Sequence, residues 1–405
     1  MSTKEFDVIV YGATGFTGRL VAEHLHNTYG GDGAVRWAMA GRNQTKLGAV
    51  RDEIGALSSA LIEADSADAA SLDALAARGR VIISTVGPYQ LYGEPLIAAC
   101  AKAGTDYVDL CGEPAWMAQM IERYEAQAKA SGARIVFSCG FDSIPFDLGV
   151  LYLQQHARER FGAPRARVRG RVRGMKGTFS GGTLASLLAT LQAGQRDPSV
   201  AKTMRNPYAL VADPPPTRQP KGESVFYEDD IASWVTPFVM AAINTKNVHR
   251  SNALMDNAYG REFTYGEMQM TGDGERGKKR ARGARTQGAM LMGALAFAPT
   301  RALLKQFALP KPGQGPSKHA RETGSYDILF IGENAEGDVV KASVQGDMDP
   351  GYGSTSKMIS EAALCLNDTP RETTPGGVWT PASAMGAPLI ERLQAKAGLT
   401  FAIET

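Results

Sequence analysis

The run Gly12-Ala13-Thr14-Gly15-Phe16-Thr17-Gly18 is a candidate phosphate cradle. A backbone that approaches a pyrophosphate cannot carry side chains at its turn, and glycine removes them. A helix opening there would aim its free N–H groups and the positive end of its dipole at the phosphates. The spacing is G-x-x-G-x-x-G, a departure from the usual G-x-G-x-x-G of dinucleotide sites. Context argues for the site, because an apolar strand over 6–11 runs straight into the turn and a helical pattern over 19–29 follows. The plainer reading is a tight turn in an α/β protein.

Gly41-Arg42-Asn43 ends a strand predicted over 35–41. Sites for NAD place a carboxylate about twenty residues beyond the glycines, where it accepts from the ribose 2′-OH. Arg42 stands near that point instead. A carboxylate would repel a 2′-phosphate, whereas a guanidinium can clamp it through two parallel hydrogen bonds. The cofactor expected is therefore NADP(H), with a solvated surface arginine as the alternative for Arg42. Lys46 could add charge one turn further on, but it also suits a helix surface.

Further candidates fall at the ends of later strands. Asp65 could reach an adenine amino group or cap the helix that follows. Thr85-Val86-Gly87-Pro88 lies where the nicotinamide half should run; Gly87 permits close approach and Pro88 stiffens the turn. Tyr89 could donate a phenolic proton or form an aromatic wall. Asp109 and Glu113 flank Cys111-Gly112, as an acid–base pair or as organisers of a loop through backbone N–H groups; the loop role is the one expected. Asp142 is the first polar candidate beside the nicotinamide, or else the cap of a helix over 146–160. Tyr352, between Gly351 and Gly353, could donate a proton over the crevice or pack as a corner between two domains.

These residues need a frame that brings them to one edge. Strands are predicted at 6–11, 35–41, 60–65, 80–86, 106–110 and 133–138, with helices between them. That is an α/β chain with a Rossmann-type, doubly wound parallel sheet. The run 80–86 is nearly continuous in apolar residues, as a strand buried on both faces should be. Ligands of such sheets sit beyond the carboxyl ends of the strands, so the tips at Gly12, Gly41, Asp65, 86–89, 109–113 and 139–143 should share one crevice.

Composition fits an enzyme of ordinary kind. The 405 residues allow one to three domains, and a formal charge of +2 gives no case for a nucleic-acid partner. Cys100, Cys111, Cys139 and Cys365 are far apart and the histidines lack metal spacing, so neither a metal site nor a disulfide framework is expected. No basic segment leads into an apolar core at the start, which makes a cytoplasmic location the expectation.

The middle of the chain reads as a second domain. Arg167, Arg169, Arg171 and Arg173 alternate with Val168, Gly170 and Val172, a strand with one face of arginines. That face could bind an anionic carrier or substrate, or simply be solvated. Thr178-Phe-Ser-Gly-Gly-Thr183 precedes a helix over 184–195 and suits either an anion or plain capping. Residues 206–220 read as an extended connector, 262–272 as a strand and 272–285 as an exposed basic turn. The apolar stretch 288–309 is too short before Pro299 to span a bilayer. It is a candidate lid or peripheral membrane contact, or a buried helix in the core or in a homodimer interface. A hairpin over 326–332 and 338–346, helices over 354–366 and 388–397, and a strand over 399–403 complete the chain.

The motifs Gly12 to Gly18, Val86-Gly-Pro-Tyr89, Tyr107-Val-Asp-Leu-Cys-Gly-Glu113 and Cys139-Gly-Phe-Asp-Ser-Ile-Pro145 together resemble the saccharopine dehydrogenase-like oxidoreductases. Ser180-Gly-Gly-Thr183, Pro310-Lys-Pro-Gly-Gln-Gly-Pro316, Asp349-Pro-Gly-Tyr-Gly353 and Thr380-Pro-Ala-Ser-Ala-Met-Gly386 resemble the branch of trans-acting enoyl reductases, which also contains an animal oxidoreductase found with lipid droplets. The resemblance runs nearly end to end. It implies an NADP-binding Rossmann domain over 1–145, an inserted α+β domain for substrate and dimerisation over 146–350, and a segment over 351–405 that packs back on the first. It also implies NADPH-dependent reduction of a carbon–carbon double bond in a lipid or polyketide-type substrate, free or carrier-bound. The alternatives are a saccharopine-type amino-acid or imine dehydrogenase, which would need cations for several carboxylates, and a non-catalytic NADP(H)-binding, lipid-associated protein.

Overall fold

Apolar runs that face helices on both sides build the first layer. The structure, a computed structural model, describes residues 4–30, 33–177, 181–297, 299–300 and 315–404. The first sheet takes in β1 (Phe6–Tyr11), β2 (Trp37–Gly41), β3 (Ala60–Glu63), β4 (Gly79–Ser84), β5 (Asp106–Asp109) and β6 (Arg134–Val136). Between them run α1 (Phe16–Tyr29), α2 (Gln44–Glu53), α3 (Ala69–Arg78), α4 (Tyr89–Tyr92), α5 (Glu94–Ala103) and α6 (Pro114–Ser131). All its pairings are parallel. Along β1, Val8 and Val10 join one core and Ile9 and Tyr11 the other. Burial on both faces is the reason these strands lack polar alternation.

The second half opens with α7 (Ile144–Phe161), β7 (Arg167–Lys176), α8 (Gly181–Arg196) and α9 (Pro198–Arg205). It continues through β8 (Phe226–Glu228), β9 (Ser233–Pro237), α10 (Ala241–Leu254), β10 (Thr264–Gly272), α11 (Gly274–Ala296) and α12 (Lys318–Glu322). The hairpin β11 (Ser325–Glu333) and β12 (Val339–Gly346) follows, then α13 (Thr355–Asp368), β13 (Gly377–Trp379), α14 (Pro381–Lys396) and β14 (Leu399–Glu404). Two sheets of seven strands result, in the orders β13-β6-β5-β4-β1-β2-β3 and β14-β12-β11-β7-β10-β9-β8. The expected doubly wound parallel sheet is therefore present, with a mixed sheet beside it.

The C-terminal segment serves both sheets. β13 adds a seventh parallel strand next to β6, and α13 packs on β4 and β5. β14 does not return to the first layer as expected. It pairs antiparallel with β12, setting Phe401 opposite Val344, and so closes the far edge of the second sheet. One apolar core links Val81 and Ile83 with Met358 and Ile359, and continues to Phe146 and Phe330. Glu361 of α13, fully buried, accepts from His24 and Tyr29 of α1 and from Arg392 of α14 at 2.7–2.8 Å, locking three helices together.

Two further expectations for the second half need correction. The arginines of β7 are ion-paired along their face, with Arg169 and Arg171 buried and only Arg167 exposed. Arg171 meets Glu228 at 2.6 Å, Arg169 meets Asp230 at 2.5 Å, Arg173 meets Asp327 at 2.8 Å and Arg167 meets Glu333 at 2.8 Å. β7 lies in the middle of its sheet, so carboxylates from other strands and from the turn after β8 reach the same face. Residues 274–285 are not a turn but the first half of α11, capped by Asp273 through the Gly274 N–H at 2.6 Å. Glutamate, lysine, arginine and alanine are good helix formers. Gly277 is a packing residue, because a Cβ there would meet the Gly272 carbonyl at 1.9 Å. Residues 178–180 and 301–314, with the motif parts assigned to them, lie outside the described residues.

Candidate functional site

Because β1 to β6 run in one direction, their carboxyl ends share one edge. There the glycine turn is fastened from both sides. Ala40 O accepts from Gly12 N at 2.9 Å and Ala13 N at 3.2 Å, tying the turn to β2. Thr85 Oγ1 donates to Tyr11 O at 3.1 Å and Gly12 O at 3.3 Å, tying it to β4. Gly12 has φ +92°, and a Cβ there would lie 2.7 Å from Thr85 Oγ1. A Cβ at Gly18 would lie 2.2 Å from Gly12 O. Thr14 and Gly15 face solvent, while Phe16 and Thr17 open α1. A side chain at Gly12 or Gly18 would strike the turn itself, and α1 starts directly beyond it, with the free N–H groups of a helix start.

Gly41 ends β2, and the next two residues, Arg42 and Asn43, are exposed. Asn43 Oδ1 accepts from Lys46 N at 2.8 Å, capping α2. Arg42 has no salt-bridge partner among the described residues. Its surroundings show in the neighbouring Tyr11 phenol. Burial pushes Tyr11 up, a Ser66 hydrogen bond pulls it down, Asp65 adds to the rise and Arg42 opposes it. Arg42 and Asp65 therefore each lie within electrostatic reach of the Tyr11 hydroxyl. Asp65 does not cap α3; its Oδ1 accepts from Ala67 N at 3.0 Å, and Asp68 is the cap, accepting from Ala70 N at 3.0 Å.

Val86, Gly87 and Pro88 line the edge beyond β4, with Gly87 exposed. Tyr89 does not. Its hydroxyl donates to Ser84 O at 2.9 Å and accepts from Leu110 N at 3.1 Å, and its ring packs on Trp116 at 5.8 Å. The phenol is buried under the tips, with its proton committed to the backbone, so it is a structural post rather than a proton donor. Asp109 and Glu113 take the loop role. Asp109 accepts from Cys111 N, Ser138 N and the Tyr107 hydroxyl at 2.9–3.0 Å. Burial still pushes its carboxyl up to about 7. Glu113 accepts from Tyr89 N and Gln90 N, both at 2.9 Å, and from Ser186 of α8 at 2.6 Å.

Asp142 differs from both. Ser143, not Asp142, occupies the N-cap position of α7, and no side-chain cap bond forms there. Asp142 is half-buried and has neither a hydrogen-bond nor an ion-pair partner among the described residues. Burial alone raises its carboxyl to about 7. A Cβ on Gly112 would lie 3.7 Å from Asp142 Oδ2, so the carboxylate stands beside the loop after β5. Tyr352 is buried where the two sheets' layers meet. Its ring meets Phe16 edge-on at 4.6 Å, and its hydroxyl accepts from Gly181 N at 2.9 Å.

The sequence profile of the saccharopine dehydrogenase NADP binding domain matches residues 8–136. A Mycobacterium tuberculosis protein provisionally named a trans-acting enoyl reductase is 42% identical over 406 residues, covering 97% of this chain and 96% of its own. A trans-acting enoyl reductase of Mycobacterium ulcerans is 38% identical over 413 residues, covering 96% of each chain. The chain belongs to the trans-acting enoyl reductase branch of the saccharopine dehydrogenase-like family. Saccharopine dehydrogenase (L-Glu forming) from Saccharomyces cerevisiae shares the fold, with TM-score 0.56 at 14% identity over 99% of this chain and 100% of that one.

This member of the family is an NADP-dependent oxidoreductase. The side chains kept off the glycine turn and an Arg42 with no ion-pair partner among the described residues fit that cofactor. Among the described residues no helix is long and apolar enough to cross a membrane. Sequence reasoning missed the struts of the site: Tyr11, Ser186 on Glu113, and Asn247, whose Nδ2 donates to Ser143 Oγ at 2.6 Å. Ser186 and Asn247 lie far along the chain, and nothing in local pattern links them to the strand tips.

Proposed function

We propose that the enzyme reduces the carbon–carbon double bond of an enoyl group in a lipid or polyketide-type chain, presented free or on a carrier. Relatives named for that activity match nearly the whole chain. The observation that carries the reading against an amino-acid substrate is the ion pairing of β7. The arginines that could have met several substrate carboxylates are spent on Glu228, Asp230, Asp327 and Glu333.

NADPH, when bound, supplies the hydride. Gly12, Ala13, Thr14, Gly15, Phe16, Thr17 and Gly18 would hold its pyrophosphate, chiefly through backbone N–H groups, with no side chain in the way. Arg42 would hold the 2′-phosphate, flanked by Gly41 and Asn43. Asp65 would border the adenosine, and Thr85, Val86, Gly87 and Pro88 the nicotinamide. Asp142, protonated below about pH 7, would donate to the α-carbon as the β-carbon gains hydride. A donor whose pKa lies near working pH is well matched to that task. Tyr352 would wall the cleft and join its two sides.

The test is NADPH oxidation with an α,β-unsaturated acyl thioester against a mixture of a keto acid and an amine. Turnover with the thioester is the expected result. Turnover with the keto acid and amine alone would move the assignment to imine reduction. Tight NADPH binding with no turnover on either would leave a binding protein.

A further inference from the structure

The cations of α11 are treated unlike those of β7. Arg276, Lys279, Arg280, Arg282 and Arg285 are all exposed, and none has an ion-pair partner among the described residues. Lys278 alone is paired, with Glu275 at 3.2 Å. The whole chain carries only +2, so the rest of the protein is net negative and this helix holds an isolated positive field. Just over one turn beyond Arg285, Met290, Leu291 and Met292 are exposed, Met290 by 69%. An open groove of about 730 Å³ joins the two halves, lined by Val225, Arg282, Arg285, Thr286, Ala289 and Met290.

The helix is anchored near both ends. Gly277, Ala281 and Leu295 are buried, Thr236 Oγ1 donates to Ala281 O at 3.1 Å, and Gln195 of α8 donates to Ala296 O at 2.9 Å. α8 in turn leads to the cofactor turn, for its first N–H donates to Tyr352, which packs on Phe16. Its 16 residues span about 24 Å. A partner seated on α11 could thus reach the cleft with a long flexible arm.

We propose that α11 is a docking platform for an acidic protein domain that carries the acyl substrate. The arrangement of the cations favours a protein over a lipid surface. At about 100° per residue, Lys279 and Met290 share one helical face, as do Arg280 and Leu291. Charge and apolar bulk are therefore segregated along the helix and not around it. A helix lying in a membrane plane needs opposite faces. A protein with an acidic rim and an apolar contact matches a segmented surface, with charge setting encounter and the methionines the close fit.

The proposal rests on the enoyl reductase reading, and its test separates the two. An acidic acyl carrier protein loaded with an α,β-unsaturated acyl chain is titrated into the full-length enzyme, and turnover is measured with the same acyl group on the carrier and on a small free thioester. Lys279→Glu/Arg282→Glu/Arg285→Glu should weaken carrier binding at least about tenfold and raise KM for the loaded carrier alike, with free-thioester turnover unchanged. Met290→Asp should act in the same direction. Unchanged carrier binding in the triple variant overturns the proposal. So does loss of wild-type binding to phosphatidylglycerol vesicles, or of self-association, while carrier affinity stays the same. Carrier binding that depends on α11 without any reduction would uphold the docking surface and refute the enoyl assignment.

Discussion

The Tyr89 hydroxyl donates to the Ser84 carbonyl at 2.9 Å, and this bond removes the phenol from the reacting side of the site. Tyr89 follows a turn that does line the cleft, yet its ring points back into the layer below. Tyr89→Phe should keep kcat within a few-fold of wild type. It should lower stability by about 1–3 kcal/mol, because the Ser84 carbonyl and Leu110 N–H lose a buried partner. Denaturant melts paired with steady-state kinetics check both halves; a large kcat loss at unchanged stability would restore the phenol as donor.

Asp142 should control the pH profile. Its carboxyl is raised to about 7 by burial, so the donating form is lost as pH rises through that value and kcat/KM should fall there. Asp142→Asn should cost about a hundredfold in kcat and abolish that limb of the profile. Stability gives an independent readout. Between about pH 4, where an unfolded aspartate ionises, and about 7, the native chain retains a proton that the unfolded chain has released. The contribution is complete below that window and gone above it, so stability falls with rising pH. The variant's Tm should therefore decline less steeply across the window than that of wild type, with Asp109 and Asp147 still contributing.

Arg42 should decide between the two nicotinamide nucleotides. A charge-assisted bond to the 2′-phosphate contributes about 1.5–3 kcal/mol, so Arg42→Ala should weaken NADPH binding by at least about tenfold and leave NADH nearly unchanged. Calorimetric titration of both nucleotides measures this. Equal effects on the two would place the 2′-phosphate elsewhere.

Gly18 should tolerate no side chain. In Gly18→Ala the new Cβ would fall 2.2 Å from the Gly12 carbonyl, a backbone atom that cannot move without opening the turn. Loss of NADPH-induced thermal protection is the expected outcome, and full protection would refute the cradle.

The Arg171–Glu228 pair should be costly to break from one side. Both groups are nearly buried, so Arg171→Met should destabilise by about 3 kcal/mol, since Glu228 keeps only the longer contact to Arg169 at 3.2 Å. Adding Glu228→Leu should recover part of that loss. Urea melts of the single and double variants test it.

Much was legible along the chain wherever one element makes its own case. The strand of 6–11, the turn from Gly12 to Gly18 and the arginine after β2 each carry a local signal, and the cofactor they point to is the one the family match supports. Helix α10 did not, because its buried side includes Asn244, Lys246, Asn247, His249 and Arg250, which hide the apolar period that marks a helix. The glycines of α11 disguised a helix as a turn for a related reason, as the need for Gly277 arises from a carbonyl it packs against.

The order of residues by itself determined the doubly wound layer and its nucleotide, since backbone freedom, apolar period and charge at a strand end are properties of short segments. Only the tertiary structure decided which polar groups are free to act. Tyr89, Asp109 and Asp142 look alike on paper as candidates, and what separates them is whether distant backbone N–H and carbonyl groups arrive to occupy them. The arginines of β7 and those of α11 differ for the same reason: partners far along the chain reach the first set, and none among the described residues reaches the exposed cations of the second.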